Sequence, residues 1–263
     1  MQISMDLHHP DHPAFDPDTQ RRHDRRRLLW ALNLSLAFVL LLAVVFSAQS
    51  SFNWAPFAIA PLQVQGLIGI LTAPLLHGSV EHIAANATAL LMLGTLAGAV
   101  YPRATACAVP LVWLGAGLGP WLLGDPGSHH LGASGLTHGL MFMIFMLGML
   151  RRDRAAIAAG MIAFLFYGGM VLSILPQEPG VSWQAHMGGA VGGFIAAILF
   201  RRLDPPLPRK RYSWEDEEES IAPIDDELEP PAPREVPVLW VRPQDDGVRG
   251  VVLRFPPREP PGQ

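Results

Sequence analysis

The chain has 263 residues, half of them hydrophobic and only 16% charged, with a formal net charge of −4. Charges gathered at the two ends, with long apolar runs between them, point away from a soluble globular domain, and the lack of a basic domain excludes nucleic acid as a partner. A single cysteine, Cys107, leaves no disulfide framework and no cysteine-based zinc site, and reads as a small buried packing residue.

Residues 1–27 are polar, with His8, His9, His12 and His23 scattered among Asp and Pro. That composition reads as a disordered cytoplasmic tail rather than a metal site. The tail ends in an arginine run, Arg21 to Arg27, directly before an apolar run from Leu28 to about Ser47. This run is too long for a signal-peptide core and further runs follow it, so it is expected to stay as a first membrane helix. The later runs are Pro74–Val100, Ala104–Leu123, Leu131–Leu150, Ala155–Leu175 and Trp183–Phe200. Each is about the length that crosses a ~30 Å hydrocarbon core, giving six spans.

The connecting segments sort by charge. Arg21 to Arg27, Arg103, Arg151 to Arg154 and Arg201-Arg202 fall on one side, whereas Gln49–Ala73, Gly124–His130 and Pro176–Ser182 carry no Lys or Arg. Basic loops stay in the cytoplasm, so both termini are expected there, with the protein in the cell (inner) membrane. The long first loop, Gln49–Ala73, carries Phe52, Trp54 and Phe57, which suit an interfacial segment; a loop resting on the bilayer and one covering a site both fit it. Residues 203–263 form a Pro-rich acidic cytoplasmic tail. Within it, 236–255 has the pattern of a short hairpin around Asp245-Asp246-Gly247.

The polar residues inside the spans converge at one depth. Ser134 opens the fourth run, His186 the sixth, and His77, His82 and Asn86 the second, all from the side facing away from the cytoplasm. Polar residues are costly within a membrane, so such a group is a site hypothesis. His82 and Asn86 are four apart and share a helix face, as do Ser134 and His138. Gly189-x-x-x-Gly193 below His186, with Gly132 and Gly135 beside Ser134, is spacing that lets two membrane helices approach closely. A serine hydroxyl becomes a useful nucleophile when an adjacent imidazole takes its proton, and His186 is the residue expected to do so. Asn86, His82 and the Ser134 amide are the expected oxyanion donors. No carboxylate lies within a span at matching depth, since Glu81 neighbours His82 and reads as solvated, so a Ser–His dyad is expected rather than a triad. Other chemistries fit less well. Leu136 replaces the last glycine of a hydrolase elbow. Glu81-His82 lacks the second histidine of a zinc-protease motif. His129-His130 read as solvated loop residues, so no metal or other cofactor is expected.

The ordered trio His77-x-x-x-x-His82-x-x-x-Asn86, Gly132-Ala133-Ser134-Gly135 and Ala185-His186-x-x-Gly189-x-x-x-Gly193 resembles the rhomboid family of intramembrane serine proteases. The resemblance covers about Leu28 to Arg202. It implies a six-helix all-α membrane bundle with Ser134 as nucleophile and His186 as general base. It also implies an oxyanion site of His82, Asn86 and the Ser134 amide, with His77 nearby. Substrates of such a protein would be single-span membrane proteins, cut near the extracytoplasmic end of their transmembrane helix. Two departures stand out. Where the family often has a Trp-Arg pair in the first loop, this chain reads Leu67-Ile68-Gly69-Ile70-Leu71, and His138 stands where an aromatic residue often packs on the histidine. A catalytically inactive relative that binds membrane clients is the alternative from another class. A His-lined transporter would require polar residues running on toward the cytoplasm, and the run after Gly139 is apolar. The sequence leaves the oligomeric state open.

Overall fold

The computed structural model describes residues 17–176 and 180–204. Its helices are α1 (Pro17–Ala48), α2 (Gly69–Thr72), α3 (Val80–Val100), α4 (Pro102–Leu123), α5 (Ser134–Arg151), α6 (Arg154–Tyr167) and α7 (Trp183–Phe200). Leaving aside the one-turn α2, six helical segments are long and apolar enough to cross a membrane, the fifth running from α6 into a 3-10 stretch, Gly168–Ile174. The described residues contain no strand. The protein is an all-α membrane protein of six spans, as its apolar runs predict. The hairpin expected at 236–255 lies outside the described residues.

Several boundaries differ from the sequence reading, each for a local reason. The first helix starts at Pro17 and not at Leu28, so residues 17–27 are helical rather than disordered. Good helix formers such as Arg and Gln prolong a helix already nucleated by its apolar span, and Gln20 donates to Asp24 one turn on (2.8 Å). The second span starts at Val80 and not at Pro74, because the Ser79 hydroxyl caps it by accepting the His82 N–H (3.1 Å). His77 therefore precedes the helix instead of riding on it. The fourth span starts at Ser134 and not at Leu131, since Gly132 (φ +113°) holds a backbone conformation that a helix does not use. α6 ends at Tyr167, before Gly168-Gly169, where the run to Leu175 predicts one unbroken helix. Cys107 is exposed, not buried, lying off the Ala104–Ala108–Val112–Ala116 stripe that α4 turns inward.

The bundle is organised around α7, which lies between α4 and α5 and meets each through glycines. A Cβ placed on Gly189 would strike the Gly135 carbonyl, and one on Gly193 the Gly139 carbonyl, so this row faces α5. Gly188 and Gly192 form a second row one residue away, facing α4 at Gly115, Gly119 and Leu111–Val112. In lipid, where helices gain no hydrophobic drive from meeting, such backbone contact supplies the dispersion energy that holds them together. Leu93, Met143, Ile144 and Leu147 fill the remaining centre and are fully buried.

At the arginine-bearing end the helices are tied by backbone capping. The buried Asp204 carboxylate accepts the N–H groups of Arg103 (3.1 Å) and Ala104 (2.9 Å) at the start of α4. Its carbonyl accepts Arg151 Nη1 (2.7 Å), and Arg151 Nε pairs with Asp153 (3.0 Å). The first loop is anchored without a Trp-Arg pair of its own. Two tryptophans of α4 reach up to it, Trp113 Nε1 donating to Ile70 O (3.1 Å) and Trp121 Nε1 to Gln63 O (3.0 Å).

Gly193→Val drives a branched side chain into the Gly139 backbone and is expected to cost about 1–3 kcal/mol of overpacking. Thermal unfolding in detergent should show a clear drop in midpoint, whereas Gly78→Ala, whose Cβ meets only the Leu131 side chain at an ordinary 3.8 Å, should leave the midpoint unchanged.

Candidate active site

Ser134 is the first residue of α5, so its N–H lacks an intrahelical acceptor and its side chain sits at the opening of the helix. The Ser134 hydroxyl lies 2.8 Å from His186 Nε2. The two helices reach this distance because Gly135 and Gly189 let their backbones touch directly below the pair. His186 Nδ1 lies 3.0 Å from the Ser173 carbonyl oxygen. A carbonyl only accepts, so Nδ1 carries the proton of the neutral ring and Nε2 offers its lone pair to the Ser134 hydroxyl. The group that fixes the tautomer is thus a backbone oxygen of the 3-10 stretch after α6. The sequence gives no sign of it, because the unwinding of 168–174 is not written in a periodic pattern.

His138 takes the place of a packing aromatic and does more than pack. Its ring stacks on His186 with centroids 3.9 Å apart and planes 10° from parallel. Its Nδ1 donates to Ser134 O (2.7 Å), and its Nε2 meets the Ser173 hydroxyl (2.8 Å). Ser173 therefore holds both imidazoles, one through its carbonyl and one through its hydroxyl.

His82, Asn86, Ser134, His138 and His186 all line one cavity of about 1080 Å³, which the residues Asp125 to Leu131 and Gly180 to Gln184 rim. The Asn86 side-chain amide nitrogen is buried there without a hydrogen-bond partner, an arrangement that costs free energy unless something polar enters. His82 packs against Gly132, where a Cβ would meet the ring at 2.5 Å. Gly132 is thus constrained twice, by its positive φ and by the imidazole. Its N–H donates to Ala73 O (2.9 Å), which fixes the strap leading into Ser134.

His77 is fully buried outside the cavity wall, edge-on to His82 with centroids 5.1 Å apart. Gln49 clamps its backbone, donating to His77 O (2.8 Å) and accepting from His77 N (3.1 Å). Glu81 is exposed, as expected. His130 is not a solvated loop residue. It pairs with Ile59 through two backbone hydrogen bonds, and its ring joins Ser128 Oγ (2.9 Å) to Ser182 Oγ (2.8 Å). Burial holds its pKa below the ordinary imidazole value. Among the described residues no three His, Cys, Asp or Glu groups could share a metal ion.

The protein is thus a multi-pass helical membrane protein that holds a hydroxyl against an imidazole in a cavity between its helices. The rhomboid domain family matches residues 64–203. An uncharacterized protein of Mycobacterium tuberculosis (strain ATCC 25618 / H37Rv) is 36% identical over 199 residues, 71% of this chain and 83% of its own length. One from Mycobacterium leprae (strain TN) is 32% identical over 198 residues, 71% of this chain and 77% of its own. A protein of Acanthamoeba polyphaga mimivirus whose name carries the word rhomboid is 24% identical over 182 residues, 66% of this chain and 91% of its own. The chain belongs to the rhomboid family, whose members are intramembrane serine proteases and their inactive relatives.

Burial, with repulsion from His82 second, lowers the His77 pKa from 6.5 to about 4. The folded state therefore binds fewer protons than the unfolded chain in that interval. The stability this contributes is complete above the unfolded value and is lost as pH falls through the folded one, up to about 3 kcal/mol. Melting midpoints measured from roughly pH 7 down to pH 4 should fall less steeply for His77→Leu than for the wild type. Parallel curves for the two proteins would rule this out.

Proposed function

We propose that the protein is an intramembrane serine endopeptidase with Ser134 as nucleophile and His186 as general base and acid. The observation that carries this reading is the 2.8 Å contact between Ser134 Oγ and a His186 Nε2 left unprotonated by the bond from Nδ1 to Ser173 O. In the reaction, Ser134 Oγ adds to a peptide carbonyl as its proton moves to Nε2. The imidazolium then protonates the leaving amine, and a water activated by the same nitrogen releases the acyl group. The oxyanion of each tetrahedral intermediate lies between the Ser134 N–H, the Asn86 amide and His82. The unpartnered Asn86 nitrogen in the cavity supports that role, since a donor kept idle in the resting state costs no reorganisation when charge develops. His138 holds the base by stacking. Gly132, Gly135, Gly189 and Gly193 set the distances.

The substrates of this reading are single-span membrane proteins entering from the bilayer, cut near the extracytoplasmic end of their helix. The arginine-free loops at the Ser134 end and the arginines at the other favour a site facing away from the cytoplasm, with both termini inside. Retention of both reacting groups in hydrogen-bond contact weighs against an inactive client-binding relative.

Ser134→Ala and His186→Ala should each abolish cleavage of a transmembrane reporter at unchanged expression, and a serine-directed activity probe should label the wild type but not Ser134→Ala. Asn86→Ala should lower kcat by about 10²–10³. Labelling of the Asn86 variant with no loss of turnover would remove it from the oxyanion site. For sidedness, a cysteine-reactive reagent applied to intact cells should reach a tag at Gly124–His130, and one at Arg151–Arg154 only after permeabilisation. The opposite pattern would invert the orientation.

A further inference from the structure

A second cavity, of about 600 Å³, lies away from the Ser134 site, between α1, α3 and α4. It exists because α1 leans chiefly on α3 and meets α4 through Phe38 and Trp113. Gly94 and Gly98 of α3 receive Ser35 and Ala31 of α1 at backbone contact, and α1 consequently stands off the rest of α4. The walls are apolar, made by Trp30 and Leu34 on one side and Val109 on the other, with Leu140 of α5 at the back. The groove is blind. At its inner end Phe38 meets Trp113 edge-on with centroids 5.8 Å apart, and Trp113 is itself held by its bond to Ile70 O.

The opposite end is cationic. Arg26 and Arg27 line it. Arg27 Nη2 donates to Val100 O (3.1 Å), but its Nε and the Thr105 hydroxyl beside it are both buried without hydrogen-bond partners. Arg26 is exposed and makes no hydrogen bond or ion pair within the described residues. Asp24, one turn earlier, accepts from Gln20. From Arg26 to Phe38 is twelve residues of helix, about 18 Å, close to the ~15 Å hydrocarbon depth of a single leaflet.

We infer that this groove is a binding site for an anionic phospholipid of the bilayer. One acyl chain fills the apolar slot down to Phe38 and Trp113, and the phosphate takes the Arg26 guanidinium, Arg27 Nε and the Thr105 hydroxyl. Each feature excludes another occupant. A partner helix would present apolar side chains to the buried Arg27 Nε and Thr105 hydroxyl and leave them, and the Arg26 guanidinium, without an anion. A zwitterionic lipid offers the same phosphate, but its own ammonium competes for it and the headgroup brings no net negative charge to the arginines. Basic clefts between membrane helices are suited to anionic headgroups because each arginine there gains charge-assisted hydrogen bonds in a poorly hydrated setting.

Native mass spectrometry of the full chain in detergent, titrated with phosphatidylglycerol or with phosphatidylcholine of the same acyl chains, tests this. The wild type should bind phosphatidylglycerol at least about five-fold tighter. Arg26→Gln with Arg27→Gln should lower phosphatidylglycerol affinity about five-fold per arginine and weaken phosphatidylcholine less, so that the preference is lost. Ala106→Trp, which fills the wall of the groove, should lower occupancy by both. Equal binding of the two lipids by the wild type would overturn the inference. So would a preference that survives loss of the arginines, or a dimer that Ala106→Trp disperses. Arg26→Gln alone, which breaks no bond among the described residues, decides the matter where the double variant fails to fold.

Discussion

The contact between the backbones of α5 and α7 is the constraint on which the site depends. A hydroxyl and an imidazole on neighbouring helices meet only if the helix axes come closer than ordinary side chains permit. Gly135 and Gly189 remove the side chains at the crossing, and Gly139 and Gly193 do so one turn further in. The same helix presents a second glycine row to α4, so α7 is gripped from both sides and cannot rotate to relieve either contact. Rotation is what would move His186 off Ser134. Glycine in a helix interior loses about 1 kcal/mol of propensity, and here that cost accompanies a fixed distance between the Ser134 hydroxyl and the His186 ring.

Holding the His186 ring also needs an orienting group, and this bundle finds one without burying a carboxylate. An ionised acid in the membrane interior requires its own partner and solvation. A carbonyl freed from a helix ladder accepts a hydrogen bond at no such cost, provided the ladder is broken. The break is supplied by Gly168-Gly169, after which the chain tightens into a 3-10 stretch and turns the Ser173 carbonyl toward His186. The Ser173 hydroxyl simultaneously fixes His138, whose ring covers the face of His186. An ordinary aromatic would cover that face equally well but would not hydrogen-bond Ser134 O. In this chain, stacking and polar anchoring are merged in one side chain.

The features legible in the sequence are those governed by long periodicities and composition. Six apolar runs and Gly-x-x-x-Gly spacing are one-dimensional signals of a one-dimensional cost, that of placing backbone and charge in lipid. They locate the spans and the helix-opening residues, which is why Ser134, His186, His82 and Asn86 are found together in one cavity. What escapes the sequence is set by three-dimensional hydrogen-bond choice. Ser173, Gln49 and His130 are single polar residues in loops or at helix breaks, and nothing adjacent announces that their partners lie 13, 28 or 52 positions away. Helix starts are missed for a related reason. Hydropathy does not register a cap, and Ser79 and Gly132 end apolar segments that hydropathy alone continues.

The two ends of the bundle also divide the labour of stability. At the arginine end, Asp204 ties the segment after α7 to the start of α4, and its carbonyl accepts the Arg151 side chain, so α4, α5 and α7 are laced together by groups that need no membrane. At the serine end, polar atoms are left unmatched, Asn86 Nδ2 and both ring nitrogens of His77 among them. Unmatched donors lower stability, and a protein tolerates them where the arriving ligand supplies the missing partner. The capping at the arginine end thus helps sustain a serine end with unpaired donors. The same reasoning links the site to the groove beside α1, where Arg27 Nε and Thr105 are the unsatisfied pair. Orphaned polar atoms lie within or beside both cavities.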